Sequence, residues 1–453
     1  MELHPLVILT IAIAVVFVLI LRLKINAFIA LITAATTVGI LSPRVALGDV
    51  MPSVANEFGG VCAAIAIVIA LAALIGQCLM ESGAADKIVR VFVRALGEKR
   101  ASLSLLSSGY VLSVPVFFDT VFYLLVPLAR AMRVRMGKNY LLFLMAISAG
   151  GAVTHSMVPP TPGPLAMAAT LEIDLGVMIL VGAIIAVPMS LCGWLFGILR
   201  DRQLDVPLRE TQGLTLEELE ELARRQEANL PSFFMAMLPI VLPVVLIASN
   251  TLAGALGAGG ALRQVTAFVG NPNFALLASA AISLWLLARH KGYSLAQLAK
   301  PVEMALASGG LIILITAAGG SFGKMLVQAE VGKTIGEMSQ EFGVPILLLS
   351  FLLGTLLKVA QGSGTVAMIT VSSIMAPLVL DTPPGFHPVY VACAIGSGSL
   401  VGSWMNDSGF WVYKQMSGLT ETEALQTWTP LLAVMGLVGY VVTQIAALLV
   451  PLA

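Results

Sequence analysis

The stretch Val114-Pro115-Val116-Phe117-Phe118-Asp119-Thr120-Val121-Phe122-Tyr123 sets a proline and a carboxylate in the middle of an apolar region. The apolar runs on either side, Ser102–Ser113 and Val121–Ala131, are each too short to cross the membrane. A straight helix needs about 20 residues to span a hydrocarbon core of roughly 30 Å. Two half-length segments around a polar tip read as a re-entrant hairpin, which membrane depth tolerates only where protein or a wet cavity surrounds it. The same pattern returns in Pro345–Leu357 and Val366–Leu380, around Gln361-Gly362-Ser363-Gly364-Thr365.

The rest of the chain has the composition that such hairpins require. Of 453 residues, 58% are hydrophobic and 11% charged, and the mean hydropathy is +0.95. Soluble domains carry about a quarter charged residues, and disorder needs low hydrophobicity with high charge, so both classes are excluded. A balance of 25 Lys+Arg against 25 Asp+Glu excludes a basic nucleic-acid binder. The class that remains is an all-α polytopic membrane protein. Its other expected spans are Pro5–Leu21, Ile25–Leu41, Gly60–Met80, Tyr140–His155, Val177–Leu199, Phe233–Ser249, Asn273–Ala288, Met304–Val327, Val389–Val401 and Thr429–Val450. Met1–Leu21 has no basic n-region and no small-residue cleavage site, so it reads as a first span and not as a cleaved signal peptide. Cys62, Cys78, Cys192 and Cys393 lie inside apolar runs without metal-ligand spacing, as small packing residues. No disulfide, metal site or cofactor is expected.

The one long polar stretch, Arg200 to Leu230, lies near the midpoint. Within it, Leu216-Glu217-Glu218-Leu219-Glu220-Glu221-Leu222 has the spacing of a surface amphipathic helix. It separates residues 1–199 from 232–453, with 200–231 as linker. Numbered alternately, one set of loops holds 20 of the 25 basic residues, the linker's included. Arg44, Arg263, Lys324 and Lys333 fall in the other set, and Lys358 in neither. The positive-inside rule then puts the linker in the cytoplasm and both termini outside, and gives the two halves opposite topology.

The halves also echo each other. Leu79 to Ile88 parallels Leu326 to Ile335 at an offset of 247, Thr120-Val121 parallels Thr365-Val366 at 245, and Pro127 parallels Pro377 at 250. Each half therefore holds a hairpin, about 102–131 or 345–380, and then a broken helix, about 140–173 or 389–416. Interrupted segments at corresponding positions of an inverted repeat point to a transporter's binding site.

Few ionisable groups stand at membrane depth, where a charge costs about 2.5–3.5 kcal/mol on insertion scales. Asp119 is either a site residue or a cap for a helix starting at Thr120. His155 precedes Val158-Pro159-Pro160-Thr161-Pro162-Gly163-Pro164, which must break a helix. It is either a neutral imidazole bonded to a freed carbonyl or a proton carrier. Lys358 is either a snorkelling side chain or part of the tip beside it. Asp407, in Asn406-Asp407-Ser408-Gly409, is a cap or a site residue. Each break is followed by a fresh helix start, near Thr120, Gly163-Pro164, Thr365 and Ser408-Gly409. Helix starts carry unpaired N–H groups and the positive end of the helix dipole. Four of them meeting at the midplane would bind a small anion, most simply a carboxylate with a polar body.

These motifs resemble those of the gluconate permease (GntP) family in the ion-transporter superfamily. The matching residues are Pro115 to Asp119 with Leu125-Val126-Pro127-Leu128; His155 with Val158-Pro159-Pro160 and Pro162-Gly163-Pro164; Ala360-Gln361-Gly362-Ser363 with Thr365-Val366-Ala367; and Asn406 to Trp411 followed by Thr427-Trp428-Thr429. Gly76 to Asp86, with Glu81-Ser82-Gly83, also fits. There are departures: Thr161 and Trp404 stand where histidine is common, Lys358 where arginine is, and Asp119 where glutamate is. The resemblance implies proton-coupled uptake of sugar acids or related small carboxylates across a bacterial inner membrane. It also implies a homodimer whose scaffold carries a mobile, elevator-type transport unit.

The expected function is thus a secondary active symporter, not an enzyme. Its expected substrate contacts are Asp119, Thr120, Thr161, Gly163, Lys358, Gln361, Ser363, Gly364, Thr365, Asn406 and Ser408. Asp119, His155 and Asp407 are the proton-coupling candidates. A sodium-coupled carboxylate transporter and a passive anion channel are the alternatives.

Overall fold

The computed structural model describes residues 3–97, 100–209, 230–257, 259–331, 334, 345–380, 384–405 and 407–452. These fold into helices, with no strand among the described residues. The first half contains α1 (Pro5–Phe17), which continues through a π turn at Val18–Arg22, α2 (Ala27–Leu41), α3 (Val50–Glu81), α4 (Ala84–Leu96), α5 (Ala101–Leu112), α6 (Phe118–Met136), α7 (Tyr140–Met157), α8 (Pro162–Thr170) and α9 (Leu175–Gln203). The second contains α10 (Phe233–Ala255), α11 (Gly260–Val269), α12 (Pro272–Lys291), α13 (Leu295–Gln328), α14 (Ile346–Gln361), α15 (Gly364–Leu380), α16 (Val389–Gly398), α17 (Ser408–Ser417) and α18 (Glu421–Leu449).

Among the described residues, seven helical stretches are long and apolar enough to cross a membrane. Large apolar side chains cover their outer faces, among them Ile184 (69% exposed), Phe234 (69%) and Val245 (55%). Water would not tolerate that surface over so many helices; lipid does. The protein is a polytopic membrane protein.

Local sequence explains the boundaries. Asn26 and Asp174 cap α2 and α9 through their side chains. Thr420 and Glu423 form a reciprocal capping box at the start of α18. Several elements differ from the apolar runs. Helix α3 begins at Val50, well before Gly60, because it packs along α13 beyond the apolar zone. There, Gln328 donates to Glu57 (3.0 Å) and Ser321 to the Val54 carbonyl (2.9 Å). Helices α4 and α11 are short and amphipathic, so no apolar run announces them. The expected amphipathic helix around 216–222, and Lys333, lie outside the described residues.

The two halves share an order of elements. Helices α5, α6, α7, α8 and α9 begin at Ala101, Phe118, Tyr140, Pro162 and Leu175; α14 to α18 begin at Ile346, Gly364, Val389, Ser408 and Glu421, each 245–249 residues later. Packing repeats as well. Helix α5 crosses α7 where a Cβ on Gly109 would stand 2.7 Å from the Ile147 carbonyl oxygen. Helix α14 crosses α16 where a Cβ on Gly354 would stand 2.9 Å from the Ile395 carbonyl oxygen. Only glycine lets the backbones approach so closely, the usual device of membrane helix pairs. The second arm of each hairpin packs on the short helix after the other half's break, α6 on α17 and α15 on α8.

Helix α7 lies at the centre. Of its 18 residues, only His155 is not fully buried.

Candidate substrate site

The four breaks converge. A cavity of about 300 Å³ is lined by Phe118 and Asp119 at the start of α6, Pro162 at the start of α8, Gly364 and Thr365 at the start of α15, and Ser408 and Gly409 at the start of α17. Four helix N-termini thus surround one space. Three of the starts fall one or two residues earlier than the sequence suggests, and the fourth, at Ser408, falls where it does. In particular, α6 begins at Phe118 with Phe117 as its N-cap, so Asp119 lies inside the first turn and does not cap a helix starting at Thr120. A carboxylate there still complements the dipole.

Lys358, on the last turn of α14, also lines the cavity, but its charge is engaged. Its Nζ lies 2.8 Å from Asp407 Oδ2 and 2.6 Å from the Gly362 carbonyl oxygen. The side chains are 5% and 11% exposed, so this is a buried ion pair across the tip of the second hairpin. Asp407 accepts from Ser403 Oγ as well, and its Oδ1 caps α17 through the Gly409 N–H at 3.0 Å. Capping and site geometry therefore hold together at Asp407. Trp428 Nε1 donates to Ser403 Oγ at 2.7 Å, tying this network to α18.

Asp119 differs. It faces the cavity and makes no hydrogen bond or salt bridge among the described residues. His155 lines the same space, edge-on to the Phe117 ring at 6.1 Å, and its buried Nδ1 has no partner among the described residues. The freed carbonyl expected to hold that nitrogen does not do so.

Of the other expected contacts, Ser363, Gly364, Thr365 and Ser408 line the cavity, while Thr120, Thr161 and Gly163 do not. Thr161 occupies the N-cap position of α8 without a side-chain bond to that helix, and gives its hydroxyl to the Val158 carbonyl at 2.6 Å. Gly163 is pressed against the Met368 side chain, where α8 packs on α15. Asn406 and the side chain of Gln361 lie outside the described residues. Sequence reasoning missed Ser403, the Trp428 indole and the apolar wall of Leu311, Ile312 and Ile315 on α13. That wall reads as ordinary span in the sequence, and nothing marks Ser403. Trp428 had a signal, since it belongs to the Thr427-Trp428-Thr429 motif.

A helical, multi-pass chain whose broken helices meet at one cavity has the architecture of a membrane permease. The chain belongs to the GntP permease family: the model of that family matches residues 4–449. A gluconate permease of Pseudomonas aeruginosa is 34% identical over 428 residues, which cover 94% of this chain and 93% of that protein. The Gnt-II system L-idonate transporter of Escherichia coli is 32% identical, covering 96% of this chain and 98% of the relative. Among solved structures, MtrF of Neisseria gonorrhoeae superposes with a TM-score of 0.67 at 14% identity, covering 90% of this chain and 85% of that one. The YdaH transporter of Alcanivorax borkumensis, described as having an unusual topology, gives 0.62 at 14% identity, over 94% and 98%. At such identities the two structures speak for the fold alone.

Proposed function

We propose that the protein imports a small organic acid, a gluconate-like sugar acid, glycerate or a related carboxylate, by proton symport. The observation that carries this reading is the cavity where four helix N-termini surround Asp119, a carboxylate without a hydrogen-bond or ion-pair partner among the described residues. The substrate carboxylate binds the N–H groups of those starts, with Ser363, Thr365 and Ser408 as hydroxyl partners. Lys358 serves less as a substrate cation than as the counter-charge that fixes Asp407 and the second tip. Asp407 already accepts from three donors. Asp119 has none among the described residues, so it carries the coupling proton: neutral when substrate binds, ionised after release. His155 sits where it would relay that proton. The relatives' names, gluconate and L-idonate transporters, support the substrate class.

In this reading the hairpins are re-entrant, the linker is cytoplasmic, and the chains pair as a homodimer. The α13 wall belongs to a scaffold along which the hairpin unit slides. The test is uptake into proteoliposomes. An inside-alkaline gradient should drive accumulation of gluconate or glycerate, and a sodium gradient at symmetric pH should not. Asp119→Asn should keep substrate exchange at equilibrium and lose gradient-driven accumulation. Accumulation driven by sodium alone, or full accumulation by the variant, refutes the assignment.

A further inference from the structure

A second and larger groove, of about 950 Å³, opens at one end of the helix bundle. Its walls are the last residues of α3 with the Ser82-Gly83 turn, the first turns of α4, the chain entering α10, and the end of α12. All of these border loops of the strongly basic set. Helix α12 ends on Arg289, His290 and Lys291, all exposed and without a hydrogen bond or ion pair among the described residues. Arg90 also lines the groove, as do the acids Glu81 and Asp86. Glu81 is held by Gln77 at 2.6 Å, and Asp86 and Arg90 have partners of their own. Two uncommitted cations therefore remain on α12. They line the same groove as the first turns of α4, whose N-cap is Gly83 and whose Ala84 N–H donates to Ser82 Oγ at 3.4 Å.

The surface next to these cations is apolar. Trp285 is 54% exposed at the rim, and Phe234, Val241, Val245 and Leu277 carry an exposed apolar strip along α10 and α12. Aromatic rings at this level mark the membrane–water interface. A free phosphate would fill only a small part of the groove and leave the strip unused. A molecule with an anionic head and long apolar tails uses both. We propose that the groove seats an anionic phospholipid, its phosphate on Arg289 and Lys291 and its acyl chains along α10 and α12. Basic pockets between helix ends on the cytoplasmic side suit such headgroups. The site is separate from the substrate cavity and does not depend on how that cavity works.

The experiment uses the full chain in lipid nanodiscs whose phosphatidylglycerol or phosphatidylcholine carries brominated chains. Bromine quenches nearby indoles, and Trp285 is one of five tryptophans, so its signal is taken as the difference from Trp285→Phe. At Trp285 the wild type should prefer phosphatidylglycerol over phosphatidylcholine by about fivefold or more, the factor expected of one cation near the surface. Arg289→Ala/Lys291→Ala should bring that preference close to one. Arg289→Gln/Lys291→Gln serves if the alanine pair folds poorly. Lys24→Ala/Lys300→Ala removes two exposed cations of the same loop set outside the groove, and should keep the preference. The proposal is overturned if the wild type shows no preference, if the groove variants retain it, or if the control pair loses it equally. It is also overturned if millimolar inorganic phosphate abolishes the preference, which would mark a site for free anions.

Discussion

Removing Lys358 alone should destabilise the protein more than removing Lys358 and Asp407 together. Their charged atoms stand 2.8 Å apart, with side chains 5% and 11% exposed. Breaking a buried pair by deleting one partner costs about 3–5 kcal/mol, because the other charge stays desolvated. In Lys358→Met, Asp407 keeps Ser403 Oγ and the Gly409 N–H. Two surviving neutral donors place the cost near the lower bound, about 3 kcal/mol. In Asp407→Asn, the ammonium keeps the Gly362 carbonyl at 2.6 Å but loses its counter-charge, for a cost of about 3–5 kcal/mol. Lys358→Met/Asp407→Asn removes both desolvation penalties and should cost no more than about 2 kcal/mol. The singles then sum to at least about 6 kcal/mol, and the shortfall of the double is the coupling. Equilibrium unfolding in mixed micelles measures all three, and the Trp428 indole, bonded to Ser403 beside the pair, supplies the fluorescence. A double variant as unstable as the sum of the singles would refute the reasoning.

The glycine crossings make a matched pair of predictions. Gly109→Ala and Gly354→Ala should each gain about 0.5–1 kcal/mol of helix propensity but lose about 1–3 kcal/mol to overpacking against a carbonyl. Both should therefore unfold more easily, by up to about 2.5 kcal/mol; a stabilised variant would mean that the crossing is loose. His387 lies in the loop before α16, where the Val389 N–H donates to its Nδ1 at 3.1 Å, so the ring is held neutral. Burial pulls its pKa below the ordinary 6.5, only partly opposed by Asp174. The unfolded chain takes up this proton first, so the stability it contributes is present above about 6.5 and is lost as pH falls below it. Thermal midpoints between pH 7.5 and 5 should fall less steeply in His387→Gln than in the wild type; equal slopes would remove His387 from the effect.

The breaks were legible before the structure because each rests on local chemistry. Pro159, Pro160 and Pro162 cannot continue a helix, and Asp119 and Asp407 do not belong in an apolar run. The partners of these groups were not legible. Nothing in the spacing of Lys358 and Asp407 shows that they meet, since the packing of α14 on α16, α16 on α18 and α18 on α17 is what brings them together. Thr161 and Gly163 looked like site residues because they sit at a break. In the fold, one turns its hydroxyl back to the Val158 carbonyl and the other yields to Met368. A break tells where backbone is free, and tertiary packing decides which side chains look inward. Helix ends were blurred by one or two residues, as at Phe118, because an apolar residue can begin a helix when its neighbours are buried.

The repeat explains why so few charges suffice. When the starts of paired helices are aligned, one residue off the Thr120–Thr365 match in sequence, Asp119 of α6 stands opposite Thr365 of α15, Lys358 of α14 opposite Ser113 just after α5, and Asp407 before α17 opposite Thr161 before α8. In backbone terms the halves are alike, and both aim helix N-termini at the cavity. An anion site built from N–H groups can therefore be two-fold and needs no lysine. The ionisable groups are the positions where the halves depart from each other. Lys358 and Asp407 cancel as a buried pair on one side, and Asp119 stands without a partner among the described residues on the other. A symmetric cradle can hold an anion but has no means of coupling it to a proton. In the proposed symport, coupling falls to a group whose charge changes with occupancy, and Asp119 is such a group at a position where the halves differ. If so, moving the carboxylate across the pseudo-axis should bring back what Asp119→Asn removes. Asp119→Asn/Thr365→Asp should recover part of the gradient-driven uptake in the proteoliposome assay, while Asp119→Asn/Ser113→Asp, which places the acid opposite Lys358 instead, should not. Recovery by both, or by neither, would show that the repeat does not relate the two positions functionally.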